Sequence, residues 1–149
     1  MYARNVLFIQ QLTEGLNHAD SLAQPPVPGN CMNWVMGHIV AYRNRISEML
    51  SQPAVLDPAI AVRYFRESKP VTGDEPGLAQ FEHLLAAVGT SQAQLTEGLP
   101  KLSADAAMQS RSYGPMTMST AEWFLFLLRH EAYHVGNLEL LREIALAAR

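Results

Sequence analysis

The sequence is poor in cysteine and in charge, and it has no long apolar run. One cysteine, Cys31, among 149 residues excludes an internal disulfide framework and a multi-cysteine metal site. With 11 Lys+Arg against 14 Asp+Glu and no basic cluster, we expect no nucleic-acid partner. The longest apolar run, residues 123–128, is far shorter than the ~20 residues that cross a bilayer. We therefore expect no membrane segment and, without a signal-peptide pattern, a cytoplasmic location.

Length and apolar content are instead typical of one folded domain. Hydrophobic residues make up 48% of the chain and charged residues 17%, which excludes a disordered protein and a coiled coil. A chain of 149 residues lies within the usual range of a single domain. We therefore expect one domain over residues 1–149.

Apolar residues recur three or four positions apart in four segments, which predicts four helices. The predicted helices cover residues 2–17, from 30 or 33 to 50, 77–98, and 120–148. Proline-rich segments separate the first three helices, and residues 62–66 could form a short helix or turn within the second connection. Residues 110–117 are predicted to form a hairpin or a simple loop. Four helices with long connections indicate an all-α four-helix bundle.

Two of the helix starts carry capping signals. Asn30 and Asn33 are both suitable N-caps for the second helix, because an asparagine oxygen accepts from free backbone N–H groups. Ser119 and Glu122 fit a capping box at the start of the last helix. The first half of that helix, residues 123–128, is apolar on all sides, so we expect it to be buried on most sides.

The histidines carry the strongest chemical signal. His130 and His134 lie four residues apart, so both imidazoles project from one helix face and can reach one divalent metal. Their stripe also holds apolar residues, which indicates the inner face: Trp123, Phe126, Leu127, Leu138 and Leu141. His38 lies on the inner stripe of the second helix. It is the candidate third ligand, because facing helices of bundles build metal sites in the core.

The segment His130-Glu131-Ala132-Tyr133-His134 also matches the H-E-x-x-H pattern of zinc peptidases, in which Glu131 would be the general base. A peptidase would usually add a sheet and a downstream third ligand, and no His, Asp or Cys follows His134. Glu131 is therefore a candidate catalytic base or a partner of the metal ligands. A solvated or salt-bridged glutamate is the open alternative.

Tyr42 and Arg45 follow His38 by one and two helical turns. Both are candidates for lining a substrate pocket, where Arg45 could meet an anionic group. The alternatives are a core tyrosine and an arginine whose apolar stem packs while its charge reaches the rim.

Two motifs together resemble a known family. Asn33-Trp34-Val35-Met36-Gly37-His38, followed far downstream by His130-Glu131-Ala132-Tyr133-His134-Val135-Gly136, is similar to the DinB-like superfamily of four-helix-bundle metalloproteins. The resemblance covers essentially the whole chain. It implies a divalent metal, often nickel or zinc, bound here by His38, His130 and His134.

The same resemblance suggests a reaction. Relatives include thiol S-transferases that use bacillithiol or mycothiol and a mycothiol-dependent maleylpyruvate isomerase, and dimers are common among them. Where relatives often carry H-x-G-Q, this chain has Asn137 in the last position, which puts a close substrate analogy in doubt.

We therefore expect a homodimeric, divalent-metal-dependent enzyme that joins a low-molecular-weight thiol to an electrophilic small molecule. Three neutral imidazoles would leave the positive charge of the metal and open coordination positions for such a reaction. Two alternatives stay open. One is a metal-dependent hydrolase with Glu131 as base, and the other is a bundle that binds metal without turnover.

Overall fold

Four long helices form the body of the computed structural model, which describes residues 1–149. They are α1 (Tyr2–Thr13), α3 (Met32–Met49), α5 (Phe81–Gly98) and α7 (Thr120–Ala147). The connections hold the short helices α2 (His18–Ser21), α4 (Pro58–Ala61) and α6 (Ala104–Met108), with 3₁₀ turns at Val62–Tyr64 and Leu99–Lys101. The predicted all-α bundle is confirmed.

The bundle is arranged so that α3 packs against both α5 and α7, while α1 packs against α7 and α5. A small antiparallel hairpin, β1 (Ser110–Tyr113) and β2 (Met116–Ser119), leads into α7. Of the two alternatives predicted for residues 110–117, a hairpin or a simple loop, the structure has the hairpin. No helix is both long enough and apolar enough to pass through a membrane.

The helix starts agree with the sequence at α7 and disagree at α3. At α7 the predicted capping box is present, since Ser119 accepts from the Glu122 N–H and the Glu122 carboxylate accepts from the Ser119 N–H. The N-cap of α3 is Cys31, so the predicted caps Asn30 and Asn33 were wrong. Asn33 instead lies buried in the first turn, where its side-chain amide donates to the Ala79 carbonyl at 3.1 Å.

Two other helix boundaries and one expectation about burial differ from the prediction. The first helix ends at Thr13 rather than residue 17, because Glu14 has a non-helical ψ of 127° and Gly15 a left-handed φ of +73°. Helix α5 begins at Phe81, four residues later than predicted. Within the apolar run 123–128, Leu125 is 68% exposed, so that half of α7 is less buried than its composition indicates.

Candidate metal centre

His38 from α3 and His130 and His134 from α7 meet between the two helices, and we call them the histidine cluster. The Nε2 atom of His130 lies 3.1 Å from Nε2 of His38 and 3.3 Å from Nε2 of His134. One ring nitrogen from each histidine lies within 4.8 Å of the others. Two ligands that each bind one metal at about 2.0–2.1 Å are themselves about 3.0–3.4 Å apart. The spacing of the three imidazoles therefore fits a single divalent ion.

The ring of His38 is held in one orientation by the backbone. Its Nδ1 lies 2.6 Å from the carbonyl oxygen of Tyr64. A carbonyl can only accept, so Nδ1 carries the proton and Nε2 of the neutral ring presents its lone pair to the other histidines. The Trp34 ring stacks on the His38 ring, with centroids 4.7 Å apart, and the Trp34 indole N–H donates to Ser68 at 3.0 Å. The tautomer of His38 is therefore the one that metal binding through Nε2 requires.

The position of Tyr64 explains two residues of the Asn33–His38 motif. A Cβ atom at Gly37 would overlap the Tyr64 ring, so only glycine lets the ring lie against α3. The Tyr64 hydroxyl donates to the Asn33 side-chain oxygen at 3.1 Å and accepts from the Ala79 N–H at 2.9 Å. Asn33 and Gly37 thus place Tyr64, and the Tyr64 carbonyl in turn orients His38.

His130 and His134 have aromatic neighbours instead of hydrogen-bonding ones. The ring centroid of Tyr42 lies 4.5 Å from that of His130, and Phe126 stacks on the same imidazole at 6.3 Å. Nδ1 of His134 is buried without a hydrogen-bond partner. No carboxylate accepts a hydrogen bond from any of the three rings, so nothing within the cluster offsets a positive charge there.

Burial keeps the cluster uncharged. It is the main cause that lowers the pKa of His134 from the ordinary 6.5 to about 3 and that of His130 to about 4, with a further lowering from the neighbouring imidazoles. The pKa of His38 is also lowered by burial, although its hydrogen bond to Tyr64 acts in the opposite direction. At neutral pH all three rings are therefore neutral, the form in which imidazole binds metal.

Glu131 makes its contacts outside the histidine cluster. Its carboxylate forms a two-point ion pair with Arg43, with Nε–Oε2 at 2.7 Å and Nη2–Oε1 at 2.9 Å. The Asn5 side chain donates to Oε1 as well, at 3.0 Å. Both carboxylate oxygens thus accept bonds from other groups, and the role of Glu131 as a catalytic base stays a prediction.

Arg43 completes a second buried polar site, which sequence reasoning missed. Its Nη1 donates to the Ser91 hydroxyl at 2.8 Å and to the Val88 carbonyl at 3.3 Å. We call Asn5, Arg43, Ser91 and Glu131 the arginine cluster. It joins all four long helices. An arginine five positions after His38 lies on another side of α3, and nothing in its local pattern indicates a partner 88 residues away.

Tyr42 lies beside the histidine cluster, and Arg45 packs on the Tyr42 ring. The Tyr42 ring centroid is 4.7 Å from that of His38, and the Arg45 guanidinium carbon is 4.6 Å from the centroid of the Tyr42 ring. Their contact with substrate stays a prediction. The two other histidines lie elsewhere: His83 is exposed, and His18 accepts from the Phe81 N–H at the start of α5.

Comparison with known proteins agrees with this geometry. A family model described as the DinB superfamily matches residues 9–138, a segment that contains all three histidines and most of the chain. No curated protein matches the sequence at a significant level. The family match and the three converging imidazoles together support divalent-metal binding.

Proposed function

The chain belongs to the DinB superfamily, and we propose that it is a divalent-metal-dependent transferase that joins a low-molecular-weight thiol to an electrophilic small molecule. The observation that carries the proposal is the convergence of three neutral imidazoles with no carboxylate bound to them. A structural metal site is usually closed by four protein ligands, whereas three leave room for an exogenous one. Nickel and zinc are among the metals that suit such an all-imidazole site.

His38, His130 and His134 would hold the metal. When bound, a divalent ion on three neutral ligands supplies an uncompensated positive charge that favours the thiolate form of a nearby thiol. The protein residues keep the ligands in place and limit access of water. Tyr64 fixes the His38 ring through its carbonyl, and Trp34 and Tyr42 cover that ring on its flanks.

The proposed reaction balances without a redox partner. The thiol gives up its proton to solvent, and its sulfur forms a bond to an electrophilic carbon. The leaving group departs with the electron pair of the bond that breaks. Because the Nε2 lone pairs of His130 and His134 would bind the metal, neither atom would hold this proton.

The structure gives less support to a hydrolase that uses Glu131 as base. A general base needs a free lone pair within hydrogen-bond reach of the proton that it removes. Both oxygens of Glu131 are engaged by Arg43 and Asn5 in a buried site. We therefore assign Glu131 to the support of α7 and propose the thiol transferase as the function.

The test is thiol conjugation to 1-chloro-2,4-dinitrobenzene, followed by absorbance, with a panel of small thiols and protein loaded with zinc or nickel. We expect the loaded parent protein to accelerate conjugation of at least one thiol. His134→Ala should reduce the rate to that of the protein-free blank, whereas His83→Ala, which removes an exposed histidine outside the cluster, should retain it. Equal rates for the parent and His134→Ala would reject the proposal.

A further inference from the structure

Arg45 is a half-buried arginine whose hydrogen-bonding capacity is unused. Its guanidinium forms no ion pair, in contrast to Arg43 and Arg63, which each bind a glutamate. It also donates no hydrogen bond to the protein, although a guanidinium carries five N–H donors in a planar fork. A half-buried guanidinium without a protein partner keeps its N–H groups available to an external acceptor.

Aromatic rings hold this guanidinium in place. Its central carbon lies 4.6 Å from the ring centroid of Tyr42, 4.7 Å from that of Tyr113 and 5.4 Å from that of Phe65. Such contacts stabilise a cation through the faces of the rings, but they leave the N–H edge of the guanidinium free. The rings thus fix the position of the Arg45 guanidinium without neutralising its positive charge.

The same arginine lines a cavity of about 530 Å³ between α3, the α4 segment and the hairpin. Most of the wall is apolar, from residues that include Ala41, Pro58, Ala61, Val62 and Phe65. A volume of this size, with apolar side chains and several polar groups on the wall, is typical of small-molecule sites. The cavity therefore suits an organic ligand with an apolar body and a single anionic group.

The other charged group on the cavity wall narrows the choice of anion. Glu48 also lines the cavity, one turn after Arg45 and without an ion pair to it. Its negative charge opposes ligands with two or more charges, such as phosphate. A monocarboxylate carries only one negative charge, and it matches the guanidinium fork through two parallel hydrogen bonds.

Arg45 and the histidine cluster share one neighbouring side chain, Tyr42. One ring, that of Tyr42, contacts both the guanidinium and the imidazoles of His38 and His130. The positive charge of Arg45 adds, after burial and His38, to the lowering of the pKa of His130. The Tyr42 ring thus separates a carboxylate on Arg45 from the histidine cluster by the width of one side chain.

We propose that Arg45 and its cavity form a carboxylate subsite, and that the electrophile is a small monocarboxylic acid with an apolar body. This inference names the substrate class of the proposed transferase and, for the reaction itself, rests on that proposed function. The binding of the carboxylate does not depend on it.

The test is calorimetric titration of the zinc-loaded, full-length protein with benzoate and with benzamide, which share a shape and differ in charge. We expect benzoate to bind about tenfold more tightly than benzamide or better, as a charge-assisted hydrogen bond provides. Arg45→Met should abolish this preference, and Arg45→Lys should keep part of it because the charge remains. Arg66→Met, which removes an arginine whose side chain is 85% exposed, should leave it unchanged.

Equal binding of benzoate and benzamide by the parent would overturn the subsite. So would a preference that survives Arg45→Met but disappears in His38→Ala, since the carboxylate would then be held at the metal. The conjugation assay separates the two proposals. Benzoate preference without conjugation would reject only the transferase, and conjugation without benzoate preference would reject only the subsite.

Discussion

The histidine cluster and the arginine cluster start from adjacent residues of α7, His130 and Glu131, yet their hydrogen bonding is opposite. In the arginine cluster the charges are paired, since Arg43 and Glu131 share two hydrogen bonds and Asn5 supplies a third to the carboxylate. In the histidine cluster no carboxylate or amide is present, and Nδ1 of His134 is buried without a partner. One cluster is closed by the protein itself, while the other leaves lone pairs for a ligand.

The difference follows from helix geometry. A step of one residue turns the side chain by about 100°, so two neighbours on α7 point in different directions. His130 faces His38 of α3, whereas Glu131 faces the Asn5 amide of α1 and the Arg43 guanidinium. The H-E-x-x-H pattern is therefore divided here between a candidate metal site and a buried ion pair that holds the helices together.

The largest expected effect comes from breaking the arginine cluster. Glu131→Gln leaves Arg43 charged, buried and without a counter-ion, and we expect a loss of about 3–5 kcal/mol in the free energy of unfolding. Urea unfolding of the metal-free protein measures this loss. The folded fraction of the variant should still bind zinc, because Glu131 donates nothing to the histidine cluster.

A matched control removes both charges together. Arg43→Met with Glu131→Leu leaves no buried charge unpaired, so the double variant should be more stable than Glu131→Gln alone. If Glu131→Gln unfolds at the same urea concentration as the parent protein, the ion pair does not have the structural role that we assign to it.

A smaller effect is expected from disturbing the support of His38. Gly37→Ala forces the new methyl group into the Tyr64 ring, which we expect to cost about 1–3 kcal/mol of stability. Displacement of the Tyr64 carbonyl should also weaken zinc binding about 10–100-fold, as loss of a partner to a metal-bound histidine typically does. Thermal unfolding and a zinc titration with a competing chelator measure the two effects.

Gly136→Ala is the comparison variant for this prediction. Gly136 lies on an exposed face of α7 with nothing within 4 Å of an added Cβ. Because alanine favours helix, we expect a gain of up to about 1 kcal/mol and unchanged zinc affinity. Identical behaviour of the two alanine variants would show that Tyr64 does not constrain His38.

The response to pH tests the uncharged state of the histidine cluster. The pKa values of His130 and His134 lie near 4 and 3 in the folded protein and near 6.5 in the unfolded chain, so the unfolded chain binds more protons between these values. The stability of the metal-free protein should therefore be constant above pH 7 and fall as the pH drops below about 6.5. Thermal melts of the parent and of a His130→Ala, His134→Ala double variant between pH 7.5 and about 4.5 measure this. If the melting temperatures of the parent and the double variant fall equally with decreasing pH, His130 and His134 do not cause the loss of stability.

Local patterns made one part of this molecule predictable. The spacing of His130 and His134 and the capping box of Ser119 and Glu122 each lie within about one helical turn, so the sequence alone could place them. His38 was found because it shares a periodic apolar stripe on α3. These features depend on helix geometry, which is the same in every protein.

The remaining features depend on contacts between distant segments. The partners of Glu131, Arg43 and Asn5, come from α3 and α1, which are distant in sequence. The sequence therefore left two roles open for Glu131, a catalytic base or a member of a salt bridge. Asparagine is a residue type that favours N-caps, but the Asn33 side chain is buried and forms hydrogen bonds with Ala79 and Tyr64 instead. The role of Tyr64 is carried by its backbone carbonyl, which no side-chain pattern reveals.

The most direct test of the metal centre is elemental analysis of untagged protein after incubation with zinc or nickel and removal of free metal. We predict about one divalent ion per chain for the parent and for His83→Ala, and none for His38→Ala or His134→Ala, because three ligands are needed to hold it. Absence of metal from the parent, or equal metal in the parent and His134→Ala, would contradict a shared site at His38, His130 and His134.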